Sequence, residues 1–206
     1  MRLTRRSLLS VVAATPALLP VSGISQAWAV DDPRLGERSM GQADAKVVVE
    51  EYFSLTCSHC AHFAKETLPK VKSELIDKGI VRLVFRDFPL DQIALTAAMV
   101  ARALPPERYE AFIVALFASQ DRWAFARNVN NTEEIWKFAA LAGLPRATFD
   151  KTVADEALKM AILSAQEVAS KKFKINSTPS FVIKGETHAG ALPFDRFNQL
   201  VTAALG

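Results

Sequence analysis

Residues 46–53 read KVVVEEYF, a run of β-branched and aromatic residues with little polar interruption, which predicts a buried strand. After a turn at Ser54-Leu55-Thr56 the period changes. Apolar positions then recur at Cys60, Phe63, Ala64, Leu68, Val71, Leu75 and Ile76, the spacing of an amphipathic helix that closes near Gly79. Pro69 inside that helix predicts a kink or a break. Residues 80–88, IVRLVFRDF, alternate apolar and basic positions and predict a second strand, stopped at Pro89. Strand, helix and strand within about forty residues make a βαβ unit.

Residues 91–170 carry a helical pattern almost throughout. DQIALTAAMVARAL is one helix, ended by Pro105-Pro106, and residues 107–119 are a second. Asn131 is placed to cap a third, with Glu134 three positions on as a capping box, and residues 149–172 supply one or two more. The pattern then returns to strand. Residues 181–184 and 187–191 flank a Lys184-Gly185-Glu186 turn, and residues 193–205 form a last helix. The order is β-α-β, a helical block, then β-β-α. It predicts an α/β fold in which residues 46–90 and 171–206 build one mixed sheet with helices, and residues 91–170 are a helical insertion. Residues 30–45, polar with Gly and Pro, read as a mobile N-terminal segment.

Composition adds a boundary at the N-terminus. The first 29 residues hold Arg2, Arg5 and Arg6, no acid, a soft apolar run from Leu8 to Val21, and Ala27-Trp28-Ala29 at their end. A charged start, an apolar middle and an A-x-A end are the order of a cleaved secretory signal peptide. The run is short and broken by Pro16 and Pro20, which argues against a membrane span. Thr4-Arg5-Arg6-Ser7-Leu8-Leu9 also resembles a twin-arginine export signal; a general secretory signal that happens to hold two adjacent arginines is the alternative. Export into a periplasm follows from either. Cleavage after Ala29 removes three of the 25 basic residues and leaves 22 against 22 acidic ones. The basic balance belongs to the leader, and nothing in the remainder asks for nucleic acid or an acidic membrane surface.

The 2 cysteines of the chain are Cys57 and Cys60, in CSHC at the junction of strand and helix. A bridge between them closes so small a loop that it restrains the unfolded chain weakly, so a structural staple explains them poorly. At a helix start the two sulfurs lie one turn apart on one face. Unpaired N–H groups and the positive end of the helix dipole favour the thiolate of Cys57, which makes it reactive and a good leaving group. Cys60, one turn inside, would be shielded and resolve mixed disulfides. His59, flanked by Ser58, could donate to the Cys57 sulfur and make the pair more oxidising. Zinc is a rival, since His62 brings the count to two thiolates and two imidazoles, but four ligands within six helical residues do not converge as separated pairs do. A binding module of another class, a folding chaperone or a soft-metal carrier using Cys57 and His59, also stays open, without a Met cluster near the cysteines to support copper traffic.

A second signal is Asn176-Ser177-Thr178-Pro179-Ser180-Phe181, a proline directly before a strand. Strand, CxxC helix, strand, helical insertion and Thr-Pro before a hairpin together resemble the DsbA-like thiol–disulfide oxidoreductases, a thioredoxin fold with an inserted helical subdomain, over about residues 40–206. The resemblance implies that Pro179 is cis and packs on the CxxC, and that Thr178 presents its backbone to the substrate. It implies that Glu51, six before Cys57, is the buried acid that moves the Cys60 proton. Glu50 and Glu51 face opposite sides of the strand, so only one can be buried, and the resemblance selects Glu51. It implies unfolded or reduced exported proteins as substrates, a DsbB-type membrane oxidase as partner, no cofactor and no resident metal, and a monomer. Ser58 stands where strong thiol oxidases usually carry proline, and Thr178 where they often carry valine. Those departures leave a disulfide isomerase or reductase with a DsbD-type partner as the alternative direction.

Overall fold

The computed structural model describes residues 32–206. Residues 1–31, which include the signal pattern, lie outside the described residues. The central element is a five-stranded sheet in the order β1-β3-β2-β4-β5. Its members are β1 (Arg38–Met40), β2 (Val47–Phe53), β3 (Val81–Asp87), β4 (Ser180–Ile183) and β5 (Glu186–Ala189). β2 and β3 are parallel, with Glu51 beside Phe85 and Phe53 beside Asp87. β4 runs antiparallel to β2 and sets Phe181 beside Glu51. The β4–β5 hairpin turns through Lys184 and Gly185, both at positive φ (49° and 84°), the backbone of a type I′ turn.

The helix after β2 is not uniform. It begins as α1 (Ser58–His62), widens to a π turn at Phe63–Thr67, returns as α2 (Leu68–Val71) and ends in a second π turn at Lys72–Ile76. Pro69 near the start of α2 is the cause: it has no N–H to donate and its ring crowds the carbonyl of the preceding turn, so the wider π register just before it absorbs the clash without ending the helix. Between β3 and β4 lie α3 (Gln92–Ala103), α4 (Pro106–Ala118), α5 (Gln120–Trp123), α6 (Asn131–Leu141), α7 (Arg146–Val153) and α8 (Glu156–Phe173). α9 (Phe194–Leu205) closes the chain against β2, β4 and α2.

On β2 the side chains of Val47, Val49, Glu51 and Phe53 are buried on one face, whereas Val48 and Glu50 alternate with them towards solvent. The first face meets the long helix and α9, where the rings of Phe63, Phe181 and Phe197 interlock at 4.7, 5.7 and 6.1 Å between centroids. On the other face Tyr52, Phe88, Val182 and Ile175 pack with Ala169 and Phe173 from the end of α8.

Two local expectations are corrected. The segment expected to be mobile supplies β1, which pairs with β3 at Arg38↔Phe85, Ser39↔Val84 and Met40↔Leu83. An arginine occupies one of its two buried positions, so the apolar alternation that marks a strand is missing. The cap of α6 is Asn130, whose side chain accepts from Glu133 N at 3.2 Å, one residue ahead of Asn131. Asn131 instead donates to the Trp123 carbonyl at 2.6 Å.

Candidate active site

β2 delivers the chain to α1 through a fixed turn. Cys57 N donates to Ser54 O at 3.0 Å, and Cys57 becomes the N-cap of α1 with extended dihedrals (φ −79°, ψ 120°). An N-cap side chain faces the unpaired N–H groups of the second and third helical residues, here His59 and Cys60. A serine oxygen would accept from them, and in this chain a sulfur takes that place. The thiol forms no capping bond, but the sulfur gains most from these donors once it carries charge.

The two cysteines are free thiols with opposite surroundings: Cys57 is half-buried and Cys60 fully buried. The Cys57 pKa is lowered to about 5. The hydrogen bond from the Cys60 thiol is the largest cause, opposed by partial burial and reinforced by Thr178 and by the N–H groups of Cys60 and His59. Burial pushes the Cys60 thiol far up, and the neighbouring Cys57 adds to the shift. One sulfur is therefore a thiolate at neutral pH and the other holds its proton.

β4 brings the second motif onto the first. The Cys57 thiol donates to the Thr178 carbonyl at 3.3 Å across a separation of 121 residues. The Thr178 hydroxyl is buried without a hydrogen-bond partner in this dithiol form, so it is a free donor for a thiolate. The Thr178–Pro179 peptide bond is cis, and Pro179 is buried, its carbonyl held by Gly190 N at 2.8 Å.

Glu51 lies beneath the pair on the core face of β2. It is 3% exposed, and desolvation alone raises its pKa to about 8. Its charge in turn helps to raise the Cys60 pKa, which places the two groups within electrostatic reach. A cavity of about 10 Å³ adjoins it, otherwise lined by apolar side chains such as Phe53, Ala64 and Phe117.

The structure thus brings Cys57, Cys60, Glu51, Thr178 and Pro179 together. It does not draw in the other two candidate side chains. Ser58 and His59 are exposed, and what His59 offers the sulfur is its main-chain N–H, not the imidazole. His62 is also exposed, and among the described residues no group of three or more His, Cys, Asp or Glu is placed to hold a metal ion.

Three polar residues around the site escaped the sequence reading. Ser54 accepts from Leu90 N at 3.2 Å, and Thr56 donates to Asp91 at 2.6 Å, which joins the turn before Cys57 to the start of α3. Gln120, at the head of α5, donates to the carbonyls of Leu55 (2.7 Å) and Cys57 (3.1 Å). Nothing local marks that glutamine, since SQDRW reads as any polar helix start. Of the insertion's aromatics, Trp123 is fully buried, whereas Phe125 is 56% exposed.

The sequence model of the thioredoxin family matches residues 34–203 of this chain. A curated protein of Rickettsia bellii, named a protein-disulfide oxidoreductase, is 28% identical over 147 residues, which are 71% of this chain and 56% of that protein. The chain thus spans little more than half the length of that relative. Among solved structures, α-DsbA1 of Wolbachia pipientis superposes with a TM-score of 0.76 at 30% identity, covering 84% of this chain and 92% of that one. A protein-disulfide isomerase of Novosphingobium aromaticivorans gives 0.71 at 26% identity, covering 83% and 98%.

Proposed function

Because the chain belongs to the thioredoxin family and shares the architecture of the DsbA proteins, we propose that it is an exported thiol–disulfide oxidoreductase that donates the Cys57–Cys60 disulfide to reduced proteins in the periplasm. The observation that carries this reading is the split between the sulfurs, one half-exposed with its pKa lowered to about 5 and one buried with its pKa raised.

In the first step a substrate thiolate attacks Cys57 Sγ, the accessible sulfur. The Cys57–Cys60 bond breaks, its electron pair leaves on Cys60, and a mixed disulfide forms between substrate and Cys57. The buried Cys60 thiolate takes a proton, which Glu51 supplies; an acid whose pKa is about 8 holds that proton at neutral pH. A second substrate thiolate then attacks the substrate sulfur and expels Cys57 as a stabilised thiolate. The substrate loses two electrons and the cysteine pair gains them. Thr178, whose carbonyl sits 3.3 Å from the Cys57 sulfur, is placed to pair with the substrate backbone. Reoxidation falls to a membrane partner of DsbB type. No cofactor takes part.

A low thiolate pKa stabilises the reduced pair and makes the disulfide more oxidising, which favours the oxidase over the isomerase or reductase. Ser58 and Thr178 favour the reverse, as does the name of the Novosphingobium relative. Equilibration of residues 30–206 with glutathione decides. A potential near about −120 mV supports the oxidase, and one near about −200 mV or below transfers the reading to isomerase or reductase. Cys57→Ser should abolish thiol exchange while the fold stays intact; a variant that kept full function would leave a binding module as the better reading.

A further inference from the structure

Gln120 is the one buried polar side chain of the α5 region that reaches the segment bearing the cysteines. It is 7% exposed, and its Nε2 donates to Leu55 O and Cys57 O at 2.7 and 3.1 Å. Two carbonyl acceptors fix which end of the amide faces them. The backbone behind it is equally fixed. Its own carbonyl accepts from Ala124 N and Phe125 N, both at 2.9 Å. One turn on, the fully buried Trp123 donates its indole N–H to Leu116 O at 2.8 Å and accepts from Asn131 at 2.6 Å. A glutamine so anchored can hold another segment.

The segment it holds sets the geometry of the nucleophile. Cys57 O also accepts from Ala61 N at 3.1 Å, the first bond of α1. A carbonyl pinned from both sides fixes how the first turn of α1 presents its N–H groups to the sulfur. Carbonyl dipoles close to a sulfur oppose negative charge on it, and a donor on those oxygens lessens the opposition.

Resting on the thiol–disulfide reading above, we propose that Gln120 is a positioning residue for the nucleophile: the helical insertion uses its amide to lock the Leu55 and Cys57 carbonyls and so keeps the α1 N–H donors on the Cys57 sulfur. The insertion thereby tunes the redox pair through one neutral side chain. Because Gln120 brings no charge of its own, its influence is moderate and is carried by geometry and dipoles.

The test is the pH midpoint of Cys57 alkylation by iodoacetamide in the reduced full chain, together with the equilibrium against glutathione. Gln120→Met keeps the side-chain volume and removes the donor. It should raise the midpoint by about one pH unit, and at pH 7 make the disulfide about tenfold less oxidising, a shift of about 30 mV. Gln120→Glu keeps the shape and turns an acceptor towards the two carbonyls; its midpoint should rise at least as far, and it decides the matter if the Met variant does not fold. Ile162→Ala, a buried change in α8 that has no contact with the cysteines, should lower stability and leave the midpoint where it was. The proposal is overturned if both Gln120 variants keep the parent midpoint, or if Ile162→Ala moves it as much. If the parent chain does not exchange thiols with glutathione, the enzymatic reading falls, and the alkylation midpoints still decide the role of Gln120.

Discussion

Two carboxyl groups are buried on neighbouring strands of the same sheet, two residue pairs apart in register, and their surroundings are opposite. Asp87, at the end of β3, meets Arg102 Nε at 2.5 Å and receives the Tyr109 hydroxyl at 3.2 Å. Arg102 goes on to donate to Gly36 O at 2.7 Å, and Arg38 and Arg102 lie over the Tyr109 ring at 5.7 and 5.5 Å. That corner ties β1, β3, α3 and α4 together through the Asp87–Arg102 ion pair, the Tyr109 hydroxyl and its ring. Glu51, on β2, has Phe85 and Phe181 beside it and no countercharge to lower its pKa. A buried acid with a charged partner serves the fold, whereas one without is pushed to the pH range where it can exchange protons. The reactive corner is the one whose acid the fold leaves without a countercharge.

The sharpest way to break this contrast is to remove the paired acid. Asp87→Ala strands the buried Arg102 and should cost about 4 kcal/mol in urea unfolding, with the Cys57 alkylation midpoint unmoved. A loss below about 1 kcal/mol would mean that the cluster is as dispensable as a surface pair.

Glu51→Gln should act in the opposite direction. The folded-state pKa is raised to about 8 from 4.5, so above pH 4.5 the unfolded chain ionises this group while the folded chain does not. Folding is penalised progressively from pH 4.5 to 8, and below 4.5 there is no penalty. The variant removes it, gaining up to about 3 kcal/mol at pH 7 and nothing in acid. The gain should come with slower turnover at neutral pH, since an amide cannot hand a proton to Cys60. Parallel stability curves for parent and variant across that range would show that Glu51 is not held neutral by burial.

The smallest effect belongs to the carboxylate next door. Glu50 lies on the solvent side of β2, with Arg86 Nε at 2.8 Å. Glu50→Gln should change stability by less than about 1 kcal/mol and leave turnover alone, and that flat result measures how much the strand's alternation matters. Comparable effects from Glu50→Gln and Glu51→Gln would erase the distinction between the two faces.

Much of this arrangement was legible before any contact was known. Residues 46–53 and 80–88 announced their strands because their period is local, and the helical spacing from Cys60 to Ile76 announced the element between them. β1 was not legible because a buried arginine, Arg38, stands where an apolar residue would have signalled it, and its partners lie in α3 and α4. CSHC places an imidazole beside the sulfur and so suggests a side-chain donor, but His59 is exposed and what it offers the sulfur is its main-chain N–H.

The sequence by itself determined the junction of strand and helix that makes a cysteine an N-cap, the Thr-Pro step before the last hairpin, and the rule that Glu50 and Glu51 cannot both be buried. These follow from backbone periods and dihedral preferences, which neighbouring residues encode. Only the tertiary structure decided that Glu51 lies beneath the cysteines with no countercharge, that Thr178 meets Cys57 from 121 residues away, and that Gln120 of the insertion holds the turn. Those facts depend on how the sheet and the insertion close on each other, and no spacing within a single element records that closure.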